Sequence, residues 1–510
     1  MITHIRRRLG VLVLLLGLAL IAAAPLVAQR AAAAPAEGRA QWLQMFARAY
    51  YPGRSGQIMF VPRQGMFFAD HDPLYNFMHG SPWPYDARVP LFFHGAPFIQ
   101  RGRRLEPARQ QDVAPTLAAL IGATPPATTT GRVLHSAISS VRQRPRIAAL
   151  IVLDGMRADY FTTYAALMPG LARLRAEGAS FVNARVDYLP TATSVGHATL
   201  GTGTDPRVHG QVANNVFNRV TSKPQPAYEG LDPRELMALT LADVWNVATD
   251  GRAVIIGQGG AMRATAGLVG HGACQINGRK VIAASYSTVD GGWETNPQCY
   301  TMSEALKGFS GKKVWEAAGG KWLGHDIASP TRFRASSLFQ RFEAEALLAV
   351  LEREPLGADD ITDLVFVNIK GSDYVAHAYG PDSPEMKDEL GELDRQVTAI
   401  IGALTRKAGA GQLVVAITAD HGMPSVPPAN GRQEITDVVG AIHQRFDPDQ
   451  KSLVQYFGDA ANAQIFVDPV RLRTLNLTLK EIALFLESQD YIAAAFTEDE
   501  VRTAEGRLPR

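Results

Sequence analysis

Four short apolar runs, at 147–153, 253–257, 364–369 and 412–418, recur along the chain with room for a helix between them. A strand buried on both faces reads as such a run, and strands separated by helical stretches pair in parallel beneath the crossover helices. The stretches near 161–177, 234–248, 337–352 and 384–406 carry the matching helical pattern. The spacing therefore predicts an α/β fold, with a largely parallel central sheet and helices on both faces. In such sheets functional residues collect beyond the C-terminal ends of the strands.

Three of the runs end in acids. Ile147–Leu153 stops at Asp154-Gly155. The run from Leu364 is followed by Asp373 and His377, whose spacing of four puts both on one face of a helical turn. The run from Gln412 stops at Asp420-His421-Gly422. A polar strand end is ordinary by itself. Together, carboxylate oxygens and imidazole nitrogens are the ligand set of zinc and similar divalent ions. A fourth stretch, Tyr188 to Gly203, reads as a strand end, a turn at Pro190 and a helix opening near Thr193. A hydroxyl at a helix start sits beside unsatisfied N–H groups and the positive dipole end, which makes an anion site. Thr is equally an ordinary N-cap.

These pieces resemble the alkaline phosphatase superfamily, in its type I phosphodiesterase/nucleotide pyrophosphatase and phosphate-irrepressible alkaline phosphatase branch. The matching motifs are Leu-Asp154-Gly, Pro-Thr-Ala-Thr193, Val-His209-Gly-Gln-Val-Ala-Asn214, Asp373-x-x-x-His377 and Thr-Ala-Asp420-His421-Gly, in order from about residue 145 onward. The resemblance implies an alkaline-phosphatase-like fold and a hydrolase of small phosphorylated substrates. It implies two divalent metal ions, zinc by default, and a covalent intermediate on Thr193. One ion falls to Asp154, Asp420 and His421, with Thr193 bound to it; the other falls to Asp373, His377 and one more histidine. Asn214 matches a phosphate-contacting residue. His197 and His209 read as packing residues.

One departure bears on the substrate. The phosphomonoesterase branch carries a Lys-x-Arg pair that grips the phosphoryl group. Here Gly-Gly-Ala261-Met-Arg263 keeps the Arg and loses the Lys. The leading reading is a phosphomonoesterase, because Arg263 survives. A phosphodiesterase or nucleotide pyrophosphatase is the alternative. A sulfatase would use a modified Cys or Ser, and a phosphosugar mutase would be cytosolic. A non-catalytic binding module would have broken ligand sets, whereas every ligand type is present.

A second departure concerns order. The family's remaining histidine lies in a His-Gly-Ser-Pro segment near the C-terminus. After His421 this chain has only His443, inside an ordinary helical run. The expected segment stands at the front instead, as His79-Gly-Ser-Pro, followed by a strand near Val89–Phe93 and a helix at 111–122. The expectation is a circular permutant. Residues 35–123 are the family's C-terminal segment, 124–144 a new linker, and 145–510 the rest of the catalytic domain. It puts His79 beside Asp373, and the region of Ala40 beside the chain's end. The competing arrangement is a separate domain at 40–135, with His443 or water completing the site. Residues 264–335, with little periodicity, read as a cap-like insertion.

At the front, Arg6, Arg7 and Arg8 precede the apolar run Val11 to Ala24, the layout of a secretory signal peptide within 1–34. An uncleaved anchor is the other option. An exported, periplasmic or secreted protein follows. The two cysteines, Cys274 and Cys299, then form an even pair for one disulfide. A net charge of +2 suggests neither nucleic acid nor a membrane partner beyond that segment. Oligomeric state stays open.

Overall fold

The computed structural model describes residues 36–427, 431–458, 461 and 464–505. The segment read as an export signal lies outside them. Among the described residues no helix is long and apolar enough to cross a membrane.

Along the chain run β1 (Ile58–Pro62), β2 (Leu91–His94), β3 (Gly102–Arg109), β4 (Ile147–Leu153), β5 (Ala179–Arg185), β6 (Ile255–Gly259) and β7 (Val281–Tyr286). They are followed by β8 (Asp363–Ile369), β9 (Leu413–Thr418), β10 (Val454–Phe457), β11 (Gln464–Val467) and β12 (Ile492–Thr497). The central sheet is mixed, in the order β7-β6-β8-β4-β9-β2-β5-β3, with two short edge strands beside β7. Its run from β7 to β9 is parallel throughout. β2 lies antiparallel to both β9 and β5. Every residue of β4, β8 and β9 is buried, which is why their sequences are unbroken apolar runs rather than alternating ones.

Register decides the site. Leu153 lies opposite Ile369, Thr418 opposite Val152, and Gly259 opposite Asn368. The C-terminal ends of β6, β8, β4 and β9 therefore line up, and Gly260, Lys370, Asp154 and Asp420 share one edge. Thr193 opens the helix Thr193–Thr202, which packs on the helix Met262–Val269. Two glycines permit the approach. A Cβ at Gly201 would stand 2.3 Å from the Gly267 carbonyl oxygen, and one at Gly267 would stand 2.9 Å from the Ala198 nitrogen.

A second, four-stranded sheet joins the two ends of the chain. Its order is β10-β11-β1-β12, with β1 antiparallel to both β11 and β12. Its separate apolar core includes Phe60, Phe68, Ile442, Ile465 and Ile492. The helix Ala36–Ala49 packs on the helix Glu498–Glu505. Arg39 donates to the Ala495 carbonyl at 3.0 Å, and Tyr50 Oη to Glu498 at 3.2 Å. Residues 40–135 are thus not a separate domain; all described residues fall in one compact unit.

Three sequence expectations change. The stretch 161–177 is not one helix: it breaks into short turns before Pro169–Glu177, because Pro169 starts a new helix. The stretch 264–335 is not wholly a cap. Its first part completes the helix Met262–Val269 and adds β7 to the sheet, since Val281–Tyr286 is apolar enough to be buried against β6. Only the segment after β7 covers the sheet edge. The stretch 124–144 is tied down: Thr130 and Gly131 donate to the Gly203 carbonyl at 3.0 and 3.1 Å, and Leu134 and Ala137 are buried. Cys274 and Cys299 are joined in a disulfide, with Cα atoms 4.9 Å apart. It ties the loop after Met262–Val269 to the segment following β7.

Since β1 already lies between C-terminal strands, a chain reordered to begin at 145 and carry 36–144 after 505 through a short linker should keep the fold. We expect the same circular dichroism and one cooperative melt. An unfolded or molten product would mean that the present order of segments is itself required.

Candidate metal centre and substrate cavity

Asp154, Asp373 and Asp420 are fully shielded from solvent at the shared strand edge. Asp154 accepts from Asn368 Nδ2 at 2.8 Å, and Asp420 Oδ1 from the His421 backbone N–H at 3.0 Å. Asp373 Oδ2 is held only by the Lys370 ammonium at 2.6 Å, and Asp373 Oδ1 and Asp420 Oδ2 make no hydrogen bond among the described residues. Burial pushes the Asp154 carboxyl up to about 6, with Asp420 adding repulsion and Lys370 opposing it. Burial works in the same direction on Asp373, but His377 and Lys370 outweigh it and hold that carboxyl well below the usual range.

Three histidines converge on these oxygens, each oriented by a backbone carbonyl. His79 Nδ1 donates to the Thr191 oxygen at 2.7 Å, His377 Nδ1 to the Phe77 oxygen at 2.6 Å, and His421 Nδ1 to the Gly422 oxygen at 2.9 Å. A carbonyl can only accept, so each Nδ1 carries a proton and each Nε2 is the ring nitrogen turned inward. His79 Nε2 lies 3.8 Å and His377 Nε2 3.3 Å from Asp373 Oδ1. His421 Nε2 lies 3.3 Å from Asp420, 3.6 Å from Asp154 and 3.9 Å from Asp373. The His79 and His421 rings stack with centroids 3.5 Å apart.

The loop carrying His79 is held firmly. Ser81 donates to the buried Asp86 carboxylate through its N–H at 2.9 Å and its hydroxyl at 2.5 Å. The Asp86 carbonyl accepts from Gly422 N–H at 2.8 Å, next to His421. Trp83 Nε1 donates to the Pro62 carbonyl at the end of β1.

These residues fit divalent cations. His79, Asp373 and His377 offer ligand atoms within 4.8 Å of one another, and so do Asp154, Asp373 and His421. The set Asp154, His197 and Asp420 is equally close, but His197 is already committed. Its Nδ1 donates to the Thr193 carbonyl at 2.8 Å, and its Nε2 accepts from Asn368 at 2.9 Å. It packs the helix Thr193–Thr202. His209 does similar work, meeting Thr199 Oγ1 at 3.0 Å and accepting from Gln211 N–H. Burial drives its pKa down to about 3. His443 lies in the other core and accepts from Val454 N–H at 3.1 Å.

Sequence reasoning missed Lys370. Its ammonium is completely buried, 2.7 Å from Asp154 Oδ1, 2.6 Å from Asp373 Oδ2 and 3.0 Å from Thr193 Oγ1. Burial alone would lower its pKa; the two carboxylates raise it above the usual value. The signal available was a lysine closing a buried strand three residues before Asp373. Three carboxylates against one ammonium leave the pocket negative, an arrangement that a dry interior tolerates only beside further cations.

Thr193 Oγ1 also stands 3.5 Å from His421 Nε2. Asn214 caps the same helix start, its Oδ1 accepting from Ser194 N–H at 3.0 Å. Asn214 and Arg263 line a cavity of about 430 Å³ whose walls include His79, His377 and Tyr374.

A model of the type I phosphodiesterase/nucleotide pyrophosphatase family matches residues 148–466. The chain belongs to this family. It is 27% identical over 336 residues to alkaline phosphatase PafA of Elizabethkingia meningoseptica, covering 55% of this chain and 60% of that protein. It is 26% identical over 333 residues to alkaline phosphatase PhoV of Synechococcus elongatus, with coverage of 56% and 60%. It is 24% identical over 303 residues to a venom phosphodiesterase of Macrovipera lebetinus, covering 59% of this chain and 28% of that one. The matches thus span about 60% of the two phosphatases' lengths. The crystal structure of wild type alkaline phosphatase PafA has the same fold, with a TM-score of 0.58 at 22% identity, over 69% of this chain and 77% of that one.

Lys370→Met isolates the electrostatics of this family member's centre. Without the ammonium, three buried carboxylates face one another. The chelator-stripped variant should lose roughly 3–5 kcal/mol relative to stripped wild type, read from thermal melts, and recover most of it when zinc is added. Equal melting in chelator would mean the ammonium does not neutralise the site.

Proposed function

We propose that this protein is a two-metal phosphoric ester hydrolase working through a covalent intermediate on Thr193, and that its preferred substrates are phosphate monoesters. The observation that carries the reading is Thr193 Oγ at a helix start, 3.0 Å from a buried ammonium and beside two clusters of inward-turned ligand atoms. His79, Asp373 and His377 would hold one ion; Asp154, Asp420 and His421 would hold the other, with Thr193 facing it. Two bound divalent ions, zinc by our reading, would supply positive charge at the phosphoryl oxygens, ease deprotonation of the attacking oxygen and stabilise the negative charge that develops on the leaving oxygen.

The chain's own groups do the rest. Lys370 holds the Thr193 hydroxyl and keeps a positive charge beside it. Thr193 Oγ attacks phosphorus and loses its proton to water, the ester P–O bond breaks, and the departing oxygen takes a proton from water to leave as the alcohol. Water then displaces phosphate from Thr193 and restores the hydroxyl. Asn214 and Arg263 bind the phosphoryl oxygens, Arg263 through the paired N–H geometry of its guanidinium.

The phosphodiesterase reading has one observation behind it: Ala261 stands where a monoesterase carries a second cation. Comparing kcat/KM for a nitrophenyl monoester and a nitrophenyl diester on one preparation separates the two. Further parts of the reading are export, supported by the Arg6–Arg8 and apolar N-terminal pattern and by the disulfide, and a circular permutation. The permutation is supported by a family match that begins at 148 and by β1 lying between β11 and β12.

Thr193→Ala should lower turnover by several orders of magnitude while metal content stays unchanged. Acid-quenched wild type should carry a phosphate on Thr193 by mass spectrometry. Undiminished turnover in the variant would sink the nucleophile assignment.

A further inference from the structure

The cation missing at Ala261 has a candidate replacement from a distant part of the chain. Arg334 follows the short helix Pro330–Phe333, near the end of the segment that covers the sheet edge. It lines the same cavity as Arg263. Tyr374, the residue after Asp373, holds it there. Arg334 Nη1 donates to Tyr374 Oη at 2.9 Å, and the guanidinium carbon lies 4.3 Å from the ring centroid. Tyr374 Oη in turn donates to the Gly260 carbonyl at 3.3 Å, three residues before Arg263. One aromatic side chain thus ties Arg334 both to the residue beside a metal ligand and to the strand end that presents Arg263.

Both arginines have donors to spare. The Nε atoms of Arg263 and Arg334 are buried and make no hydrogen bond among the described residues. Three carboxyls, Asp70, Asp72 and Glu294, share the cavity wall, yet none pairs with either guanidinium. Buried donors without acceptors are rare because they are costly, and two of them on one cavity call for an anionic occupant.

We infer that Arg334 is a substrate-binding residue which, with Arg263, clamps the non-bridging oxygens of a dianionic phosphate monoester. Arg334 supplies the charge that Ala261 lacks, and does so from a different element. The inference rests on the hydrolase reading above and makes the monoester preference a property of two arginines rather than of a Lys-x-Arg pair. A guanidinium held on Tyr374 keeps its remaining N–H groups directed as a fork, which suits two phosphate oxygens.

The test measures kcat/KM of wild type, Arg334→Gln and Arg334→Lys, metal-loaded, on nitrophenyl phosphate and on methyl nitrophenyl phosphate. Gln keeps a polar group near Tyr374 and guards against a folding defect. Arg334→Gln should lose about 30-fold or more on the dianionic monoester and less than about threefold on the singly charged diester, with Lys recovering part of the monoester loss. Equal losses on both esters would overturn the clamp. Calorimetry with inorganic phosphate supplies an arm independent of turnover: Arg334→Gln should weaken phosphate binding about tenfold, and unchanged affinity would also overturn the clamp. If wild type hydrolyses neither ester, the hydrolase reading falls, and the phosphate titration alone decides whether Arg334 binds the anion.

Discussion

Three carboxylates buried at one sheet edge, Asp154, Asp373 and Asp420, are the constraint around which the rest of the structure is arranged. Their mutual repulsion in a dry interior is large, and among the described residues Lys370 is the one ammonium that touches them. Parallel pairing of β8, β4 and β9 in matched register forces the three acids together. The histidines around them all turn Nε2 inward because backbone carbonyls take their Nδ1 protons. The pocket is one whose charge entering cations would balance.

The same requirement explains how the two ends of the chain are used. His79 belongs to a loop that precedes β4 by nearly seventy residues in order, yet its ring stacks on His421. That loop is fixed from three sides: by Thr191 just before Thr193, by Gly422 just after His421, and by β1. β1 is itself held between β11 and β12. The small sheet thus anchors the loop that carries His79 beside the edge of the larger one.

Much of this was legible in the sequence, for physical reasons that also explain the gaps. β4, β8 and β9 announced themselves because burial on both faces demands continuous apolar runs. β3, Gly-Arg-Arg-Leu-Glu-Pro-Ala-Arg, did not, since as an edge strand it alternates half-buried with exposed residues and carries charge. The acids were readable from their strand ends, and His79 from a displaced motif that composition alone would not have flagged. Lys370 was missed because a lysine after an apolar run reads as a polar stop. Its partners Asp154 and Thr193 come from other elements, and only register brings them near. Arg334 sat in a stretch without periodicity and is tied to the site through the side chain of Tyr374. β7 was lost within the same stretch, and a single insertion was read where the sheet in fact continues.

The central claim is that residues from both ends of the chain complete one pair of cation sites. A crystal of the zinc-loaded protein, with anomalous data collected on both sides of the zinc edge, tests it most directly. The account predicts two peaks per chain. One should lie about 2.0–2.2 Å from His79 Nε2, His377 Nε2 and an Asp373 oxygen, and the other at matching distances from Asp154, Asp420 and His421. A single peak, or a pair in which His79 takes no part, would contradict it.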